Sequence, residues 1–262
     1  MTTPKETIRL AAVGDIHCTR RSQGALEGVF AQIAQVADVL LLCGDLTDYG
    51  LPEEARILAR ELSPAARIPI VGVLGNHDYE SGKADEVCRI LSDVGLLMLD
   101  GTTCEFHGVG FAGVKGFAGG FGKAMLQSWG EGPIKAFVHE AVEEVLKLES
   151  ALAKLRTAHR VALLHYSPIE ATVVGERREL FPFLGTSRFE DCLNQHSVTL
   201  VFHGHAHQGS LEGRTSAGIP VYNVAMPLLL RTSGAKLAFR LTDLTIGGDD
   251  SEENDESVEP QD

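Results

Sequence analysis

A chain of 262 residues, 44% of them hydrophobic and 23% charged, is long enough for one large α/β domain with a buried core. The formal net charge is −13, but eight carboxylates lie in residues 249–262, which leaves −5 for the rest of the chain. An acidic body without a basic stripe argues against long nucleic acids, which are held through many phosphate contacts, and leaves small phosphorylated partners open.

The sequence lacks signals for secretion and for a membrane span. No basic segment followed by an apolar one opens the chain, and no apolar run approaches the ~18 residues of a membrane helix. The five cysteines are scattered and contain no CxxC pair, which indicates free thiols. We expect a cytoplasmic protein with no membrane partner, built as a single domain over residues 1–246 with a disordered acidic tail over 247–262.

The first third of the chain predicts two successive βαβ units. Three apolar runs each end in a glycine followed by a polar residue, and they cover 8–13, 39–43 and 68–74. Asp15, Asp45 and Asn76 follow these runs at separations of 30 and 31 residues, the length of a strand, a crossover helix and the next strand. Because parallel strands bring their carboxyl ends to one edge of a sheet, we expect these three side chains to meet there.

The remainder of the chain predicts a second half rich in hairpins. Short apolar runs broken by glycine are typical of antiparallel strands, and they cover 96–99, 102–106 and 109–114. A glycine-rich loop over 116–132 then precedes an amphipathic helix from Ile134 to about His159. After a strand at 161–164 and the apolar run that begins at Val198, residues 221–224 and 236–241 are interpreted as closing strands of a second sheet.

Side chains of the kinds that bind metals stand at the ends of five apolar runs. They are Asp15, His17, Asp45, Asn76, His77, His165, His205 and His207. All are oxygen or nitrogen donors, a set that suits Mn²⁺, Fe, Zn²⁺ or Co²⁺. The alternating histidines of VTLVFHGHAHQG, residues 198–209, could by themselves be ligands, one polar face of a strand, or core residues that donate to carbonyls.

The chain contains the motifs DIH, GDLTD, GNHD, a lone histidine after a strand and GHAH. Because these motifs occur in the order and spacing of the calcineurin-like metallophosphoesterase superfamily, the chain resembles that superfamily. The resemblance implies an α/β fold, a four-layer α-β-β-α sandwich of two mixed sheets flanked by helices. It also implies two divalent or transition metal ions. Asp15, His17 and His207 would hold the first ion, Asn76, His165 and His205 would hold the second, and Asp45 would bridge the two.

The resemblance extends to the residues beside the metals. His77 resembles the family's catalytic histidine beside the leaving group, with Asp48 hydrogen-bonded behind it, and the position of Gly204 makes His203 a neighbour of the site rather than a ligand. Tyr49 stands where the phosphoprotein phosphatase branch has an arginine that grips phosphate. The chain is therefore more similar to the simpler bacterial branch, which includes class III cyclic-nucleotide phosphodiesterases.

The function that this resemblance implies is hydrolysis of a small phosphodiester or phosphomonoester by in-line attack of a hydroxide that bridges two metals. The alternatives are a nuclease, a nucleotide pyrophosphate hydrolase of the same fold, or a metal-binding scaffold without activity. Arg188, Arg20 and Arg178 are candidate substrate contacts beside the site. Aromatic residues of the glycine-rich loop could stack on a base, form a lid, pack on the body or contact a second copy in a homodimer, and they are Phe117, Phe121 and Trp129.

Overall fold

The computed structural model describes residues 7–246, which form two β-sheets with helices on their outer faces. The strands are β1 (Thr7–Val13), β2 (Val39–Cys43), β3 (Ile70–Val73), β4 (Leu96–Met98), β5 (Thr102–Phe106), β6 (Val109–Gly113), β7 (His159–Leu163), β8 (Leu200–His203), β9 (Glu212–Arg214), β10 (Pro220–Asn223) and β11 (Arg240–Thr245). The helices are α1 (Glu27–Val36), α2 (Pro52–Glu61), α3 (Ala84–Ser92), α4 (Gly132–Leu152), α5 (Phe181–Leu184), α6 (Arg188–Gln195) and α7 (Met226–Ser233).

The first sheet has the strand order β11-β1-β2-β3-β4. β1, β2, β3 and β4 are parallel, and β11 runs antiparallel to β1. Every residue of β2 is buried, as expected for a strand covered on both faces. The two βαβ units predicted from the sequence are confirmed, because α1 links β1 to β2 and α2 links β2 to β3.

The second sheet has the strand order β5-β6-β7-β8-β10-β9. Its four central strands are parallel and its two edge strands are antiparallel to their neighbours. The chain therefore contains two mixed sheets, and both turn the carboxyl ends of their parallel strands toward the candidate ligands.

Hydrophobic packing stacks these elements in four layers. Leu10 of β1 packs with Phe202 of β8 in the core between the two sheets. The next residue of β1, Ala11, points the opposite way and packs with Phe30 of α1. A third cluster joins the outer face of the second sheet to α4 and α6. Because successive side chains of a strand alternate between faces, two adjacent residues can serve two cores, and the predicted α-β-β-α fold is confirmed.

Two strand predictions were wrong. Residues 96–98 form no hairpin, because β4 follows the crossover helix α3 and pairs in parallel with β3. The last strand spans 240–245 rather than 236–241, and it closes the first sheet rather than the second. Its route is set by α7, which carries the chain away from β10. The acidic segment 247–262 lies outside the described residues, so the single domain and its disordered tail remain predictions.

Helix α4 is the longest in the part of the chain that the structure describes, with 21 residues. Neither it nor any other helix within residues 7–246 is long and apolar enough to cross a membrane.

A buried carboxylate fixes the start of α1, just after the loop that follows the candidate ligand His17. Glu61 is only 5% exposed and accepts hydrogen bonds from the backbone N–H groups of Gly24 (2.6 Å), Leu26 (2.9 Å) and Glu27 (2.9 Å). Burial raises the pKa of Glu61, but these three hydrogen bonds lower it overall. Glu61 thereby satisfies N–H groups at the start of α1, whose N-cap residue Leu26 has no side-chain hydrogen bond of its own.

The substitution Glu61→Gln should lower the free energy of unfolding by about 1–3 kcal/mol, because an amide cannot accept all three bonds. Because the pKa of Glu61 is lowered in the folded protein, its carboxylate stabilises the fold fully above the ordinary glutamate pKa of about 4.3. This stabilisation is lost as the pH falls through the pKa of the folded state. Wild type should therefore unfold at a higher urea concentration than the variant at pH 7, and the difference between the two midpoints should become smaller below about pH 4. Glu53→Gln, at an exposed position of α2, is the control; equal midpoints for all three proteins would contradict the assignment.

Candidate metal centre

Five strand ends bring the candidate ligands together where the two sheets meet. Three groups of side chains have potential ligand atoms within 4.8 Å of one another, and the groups are Asp15, His17 and His207; Asp45, His165 and His205; and His17, Asp45 and His77. The first group has the same members as the first ligand set that the resemblance implied. The second group shares His165 and His205 with the second set and adds Asp45, and the third group contains Asp45 as well.

Asp45 lies between the two groups and is 1% exposed. Its Oδ2 is 3.8 Å from His17 Nε2, and its Oδ1 is 3.4 Å from His165 Nε2. Oδ1 also accepts the backbone N–H of His77 at 2.8 Å. Since each oxygen faces a different histidine, this carboxylate connects the two groups of side chains.

The Nε2 atom of His165 faces two oxygen atoms. Its Nδ1–H donates to the carbonyl of Cys43 at 3.0 Å, which leaves a lone pair on Nε2 of the neutral ring. That nitrogen faces the side-chain oxygen of Asn76 at 2.9 Å as well as Asp45. Burial lowers the pKa of His165, but Asp45 more than offsets it and raises the pKa to about 9, so a proton takes the position that a metal would occupy.

His205 and His207 face different groups, although only one residue separates them. His205 Nε2–H donates to the carbonyl of Phe183 at 3.2 Å, which leaves Nδ1 as its free lone pair, and burial lowers its pKa to about 4. His207 Nε2 lies 2.9 Å from Asp15 Oδ1. The Asp15 carboxylate in turn accepts the backbone N–H of His205.

His17 provides the sharpest test of whether a metal fits. Within the described residues, neither of its two buried ring nitrogens has a hydrogen-bond partner, although Nδ1 is 3.2 Å from Asp48 Oδ1. A buried polar atom without a partner is costly, and a metal ion beside Asp15 and His207 would satisfy one of these nitrogens. The residues present therefore fit metal ions, and their oxygen and nitrogen donors include no thiolate.

The backbone at the ligands is held in an uncommon conformation. Four of the seven non-glycine residues with positive φ in the described part of the chain are candidate ligands, and they are Asp15 (55°), His17 (47°), Asp45 (48°) and His205 (69°). Such conformations cost about 1–3 kcal/mol each and tend to cluster at functional sites. Two neighbouring glycines make the crowding tolerable, since a Cβ on Gly75 would overlap Asp45 and a Cβ on Gly204 would overlap Asp15.

His77 is oriented by a backbone group rather than by a carboxylate. Its Nδ1 lies 2.6 Å from the carbonyl oxygen of Asp48, whereas Asp48 Oδ1 is 4.0 Å away and lies closer to His17. The sequence prediction assigned this contact to the Asp48 side chain, and the structure gives it to the Asp48 carbonyl. A carbonyl can only accept, so Nδ1 carries the proton and Nε2 remains available in a side chain that is 40% exposed.

His203 is a core residue. It is fully buried, with Nδ1 2.8 Å from the carbonyl of Gly204 and Nε2 2.8 Å from Thr172 Oγ1. Both ring nitrogens are thus used inside the fold, and burial lowers its pKa to about 4. The expectation that His203 lies beside the site without binding metal agrees with this placement.

Within the described residues, none of the three candidate substrate arginines has a side-chain hydrogen bond to a candidate ligand. Arg188 donates from Nη2 to the carbonyl of Leu126 at 2.8 Å and so fastens the glycine-rich loop. Arg20 and Arg178 are exposed, with no hydrogen bond from either guanidinium to a described residue. Arg231 of α7 does reach the site, where its Nη1 donates to the carbonyl of His207 at 3.1 Å. Sequence reasoning missed it, because its position 24 residues after His207 carries no motif.

The glycine-rich loop and the segment 181–188 form one roof over the GHAH turn. Gly120 donates to the carbonyl of Gly185 at 2.8 Å, and Ser187 donates back to Gly120 at 3.2 Å. Phe121 is buried in a small apolar cluster with Ala206, the residue between His205 and His207. Phe117 packs on Phe137 and Tyr166, so both of these aromatics serve packing, whereas Trp129 is 67% exposed.

Asp78 holds together two of the ligand-bearing loops. It is fully buried, and it accepts four hydrogen bonds, from Leu46 N–H (3.1 Å), Thr47 N–H (2.8 Å), Thr47 Oγ1 (2.6 Å) and Gly75 N–H (2.8 Å). Burial raises the pKa of Asp78, and this effect exceeds the lowering that its hydrogen bonds produce. The loops after β2 and β3 are thereby fixed to each other, which sets the distance between Asp45 and Asn76.

Replacing Asp78 by asparagine should weaken both stability and metal binding. The new amide would face backbone donors, and each donor left unpaired costs about 1–3 kcal/mol. Metal affinity should fall about 10–100-fold, as is typical when a partner behind the ligands is lost. Urea unfolding and metal titration measure the two effects, with Asp243→Asn, the same change at an exposed site, as the control. Unchanged affinity and midpoint in Asp78→Asn would show that these bonds do not hold the loops.

Comparison with known proteins agrees with this geometry. Residues 8–209 match the calcineurin-like phosphoesterase family, which is most of the chain. A comparison with curated proteins finds no match to the sequence. Among solved structures, the fold is similar to phosphopantetheinyl hydrolase from Mycobacterium tuberculosis, at 14% identity and TM-score 0.63 over 89% of this chain and 95% of that one.

Two further structures share the fold at low identity. Purple acid phosphatase from yellow lupin is 14% identical, with TM-score 0.54 over 83% of this chain and 44% of that one. GAP50, the anchor in the inner membrane complex of Plasmodium, is 12% identical, with TM-score 0.50 over 85% and 73% of the two chains. These likenesses support the fold, and the family match supplies the class: the chain belongs to the calcineurin-like phosphoesterase family of metal-dependent phosphoric ester hydrolases.

Proposed function

We propose that the protein hydrolyses a small phosphodiester or phosphomonoester at a centre of two metal ions. The observation that carries this proposal is the position of Asp45, whose two oxygens face two separate groups of donors. Asp15, His17 and His207 would hold one ion, and Asn76, His165 and His205 the other. Bound divalent ions supply Lewis acidity toward phosphoryl oxygens and lower the pKa of water to near neutrality.

The charge of the site favours a phosphate. Asp15 and Asp45 are the carboxylates in the proposed ligand set, and Asn76 contributes a neutral oxygen. Two carboxylates only partly offset two divalent cations, so the loaded pocket stays positive toward an anionic substrate. Neutral imidazoles preserve this excess, and the lowered pKa of His205 keeps its ring neutral at physiological pH. The donor types suit Mn²⁺, Fe, Zn²⁺ or Co²⁺.

His77 is the proposed acid for the leaving group. Its Nδ1–H is held by the Asp48 carbonyl and its backbone N–H by Asp45, so Nε2 is fixed in direction beside the metal ligands. A protonated Nε2 can donate to the oxygen of the departing alcohol, which removes the need to expel an alkoxide. The grouping of His77 with His17 and Asp45 also permits metal binding by His77, and the second experiment below separates these roles.

The first experiment measures metal-dependent hydrolysis. After treatment with a chelator the protein should be inactive, and Mn²⁺ should restore turnover of bis(p-nitrophenyl) phosphate, of p-nitrophenyl phosphate, or of both. The ratio of the two rates distinguishes a diesterase from a monoesterase, and a screen of nucleic acids and nucleotide diphosphates tests the nuclease and pyrophosphate hydrolase alternatives. A protein that binds two metals and turns over none of these would be the metal-binding scaffold, and the proposal would fail.

The second experiment separates the ligands from the acid. His77→Ala should retain two metals per chain while its kcat falls about 10²–10⁴-fold, the usual contribution of a positioned general acid. Asp45→Ala should lose metal, and His203→Ala, which removes a histidine from the core of the same motif, should keep both ions. Elemental analysis of the metal content distinguishes the two roles of His77. If His77→Ala binds one ion fewer than wild type, His77 is a metal ligand.

A further inference from the structure

A surface groove of about 430 Å³ lies beside the metal centre and has no role in the mechanism above. It is lined by Thr19, Arg20, Arg21, Tyr49, Leu51 and Glu54. Thr19 follows the candidate ligand His17 by two residues, and Tyr49 directly follows Asp48, whose carbonyl holds His77. Because consecutive Cα atoms are 3.8 Å apart, the groove begins within about one or two residues of the reacting groups.

The two segments that form the groove are tied together at the metal end. Cys18 donates to the carbonyl of Leu46 at 3.0 Å, and Asp48 donates to the carbonyl of Cys18 at 3.1 Å. His17 also donates to the carbonyl of Asp45 at 2.9 Å. The two segments are thus held side by side where they leave the candidate ligands.

The charge of the groove is positive at its surface. Its one carboxylate, Glu54, is 2% exposed, and Oε2 accepts the backbone N–H groups of Tyr49 (2.9 Å) and Leu51 (3.3 Å), so this charge is directed into the protein. Arg20 and Arg21 are exposed, and neither guanidinium forms an ion pair with a residue in the described range. Two cations without partners, next to a centre that acts on phosphoesters, suit a second anionic group of the substrate.

Tyr49 adds a flat apolar surface to this charge. Its side chain is 58% exposed, which leaves a large aromatic ring in water beside the reaction centre. Stacking of a planar base on such a ring contributes enough to change affinity about tenfold or more. Tyr49 also adjoins Asp48, whose carbonyl holds His77, the proposed acid for the leaving group.

We infer that this groove binds the leaving group of the substrate, and that this group carries a planar ring and a second phosphate, as in a nucleotide linked through a diphosphate. The inference rests on the two-metal centre of the proposed function and takes the diphosphate of the pyrophosphate hydrolase alternative as the substrate. In the reaction, a water-derived oxygen forms a new bond to the attacked phosphorus. The bond from that phosphorus to the bridging oxygen breaks, and the electron pair leaves with the nucleoside monophosphate. The water's protons go to solvent and, through His77, to the leaving phosphate.

The test compares two substrates in wild type and in the double variant Arg20→Gln/Arg21→Gln. For P1,P2-di(adenosine-5′) diphosphate, kcat/KM should fall about 10–100-fold, as expected for lost hydrogen bonds between charged groups. For bis(p-nitrophenyl) phosphate, whose leaving group has no second anion, it should change less than about threefold. Arg60→Gln/Arg89→Gln removes the same charge from exposed residues outside the groove and should leave both substrates unaffected. Equal losses on both substrates, or the same loss in the control, would overturn the inference.

A binding measurement keeps the inference testable if turnover fails. Calorimetry with adenosine monophosphate is carried out on the metal-loaded protein in excess inorganic phosphate, which occupies the metals. Binding should weaken in Arg20→Gln/Arg21→Gln and in Tyr49→Ala, and Tyr49→Phe, which keeps the ring, should bind like wild type. If wild type does not bind adenosine monophosphate, or if all variants bind it equally, the inferred role of the groove is wrong.

The two proposals can fail separately. If the protein hydrolyses bis(p-nitrophenyl) phosphate but does not bind adenosine monophosphate, only the inferred role of the groove is wrong. If it binds adenosine monophosphate but hydrolyses no substrate, only the proposed function is wrong.

Discussion

The structure of the site depends on one buried carboxylate. Asp45 can face two histidines from opposite sides only because its neighbours leave it room and hold its loop in place. Gly75 contributes room by having no Cβ, and Asp78 fixes the loop by accepting its backbone N–H groups. The parallel strands β1, β2 and β3 then bring the ligand loops to the same edge of the sheet. A charge at this depth is tolerated when cations compensate it, and the two oxygens of Asp45 face His17 and His165.

The outer ligands are positioned by contacts that lie far from them in sequence. Ala206 packs with Phe121 and Leu184, so the GHAH turn is held by the roof above it. Tyr166 packs against His205 with ring centroids 4.5 Å apart and ring planes tilted by 51°, and so supports that candidate ligand from the side. The roof therefore does two things: it supports the second group of ligands, and it limits the directions from which a substrate can approach.

Much of the site could be predicted from the sequence because its ligands follow strands in short motifs. An apolar run that ends in glycine and a polar side chain specifies both the strand and the edge where that side chain lies, and this located Asp15, Asp45 and Asn76. Contacts made by backbone atoms carry no such signal, so the role of the Asp48 carbonyl was assigned to its carboxylate. The contacts of Arg188 and Arg231 were equally hidden, since they join segments whose proximity follows from packing rather than from local pattern. The pairing of β4 and β11 was missed for the same reason.

The pairing of β1 with β11 has a consequence for the synthesis of the chain. Thr7 pairs with Thr245, so β1 leaves the ribosome well before β11, the strand that covers one of its edges. Until then, an apolar strand has free backbone groups that other chains can pair with. The ligands follow a similar order, from Asp15 to His207, and both ligand groups include a histidine near the end of that range. Under the proposed function, both groups are complete only after the GHAH turn has been synthesised. A partly synthesised chain would therefore expose the unpaired edge of β1 before either group could hold a metal.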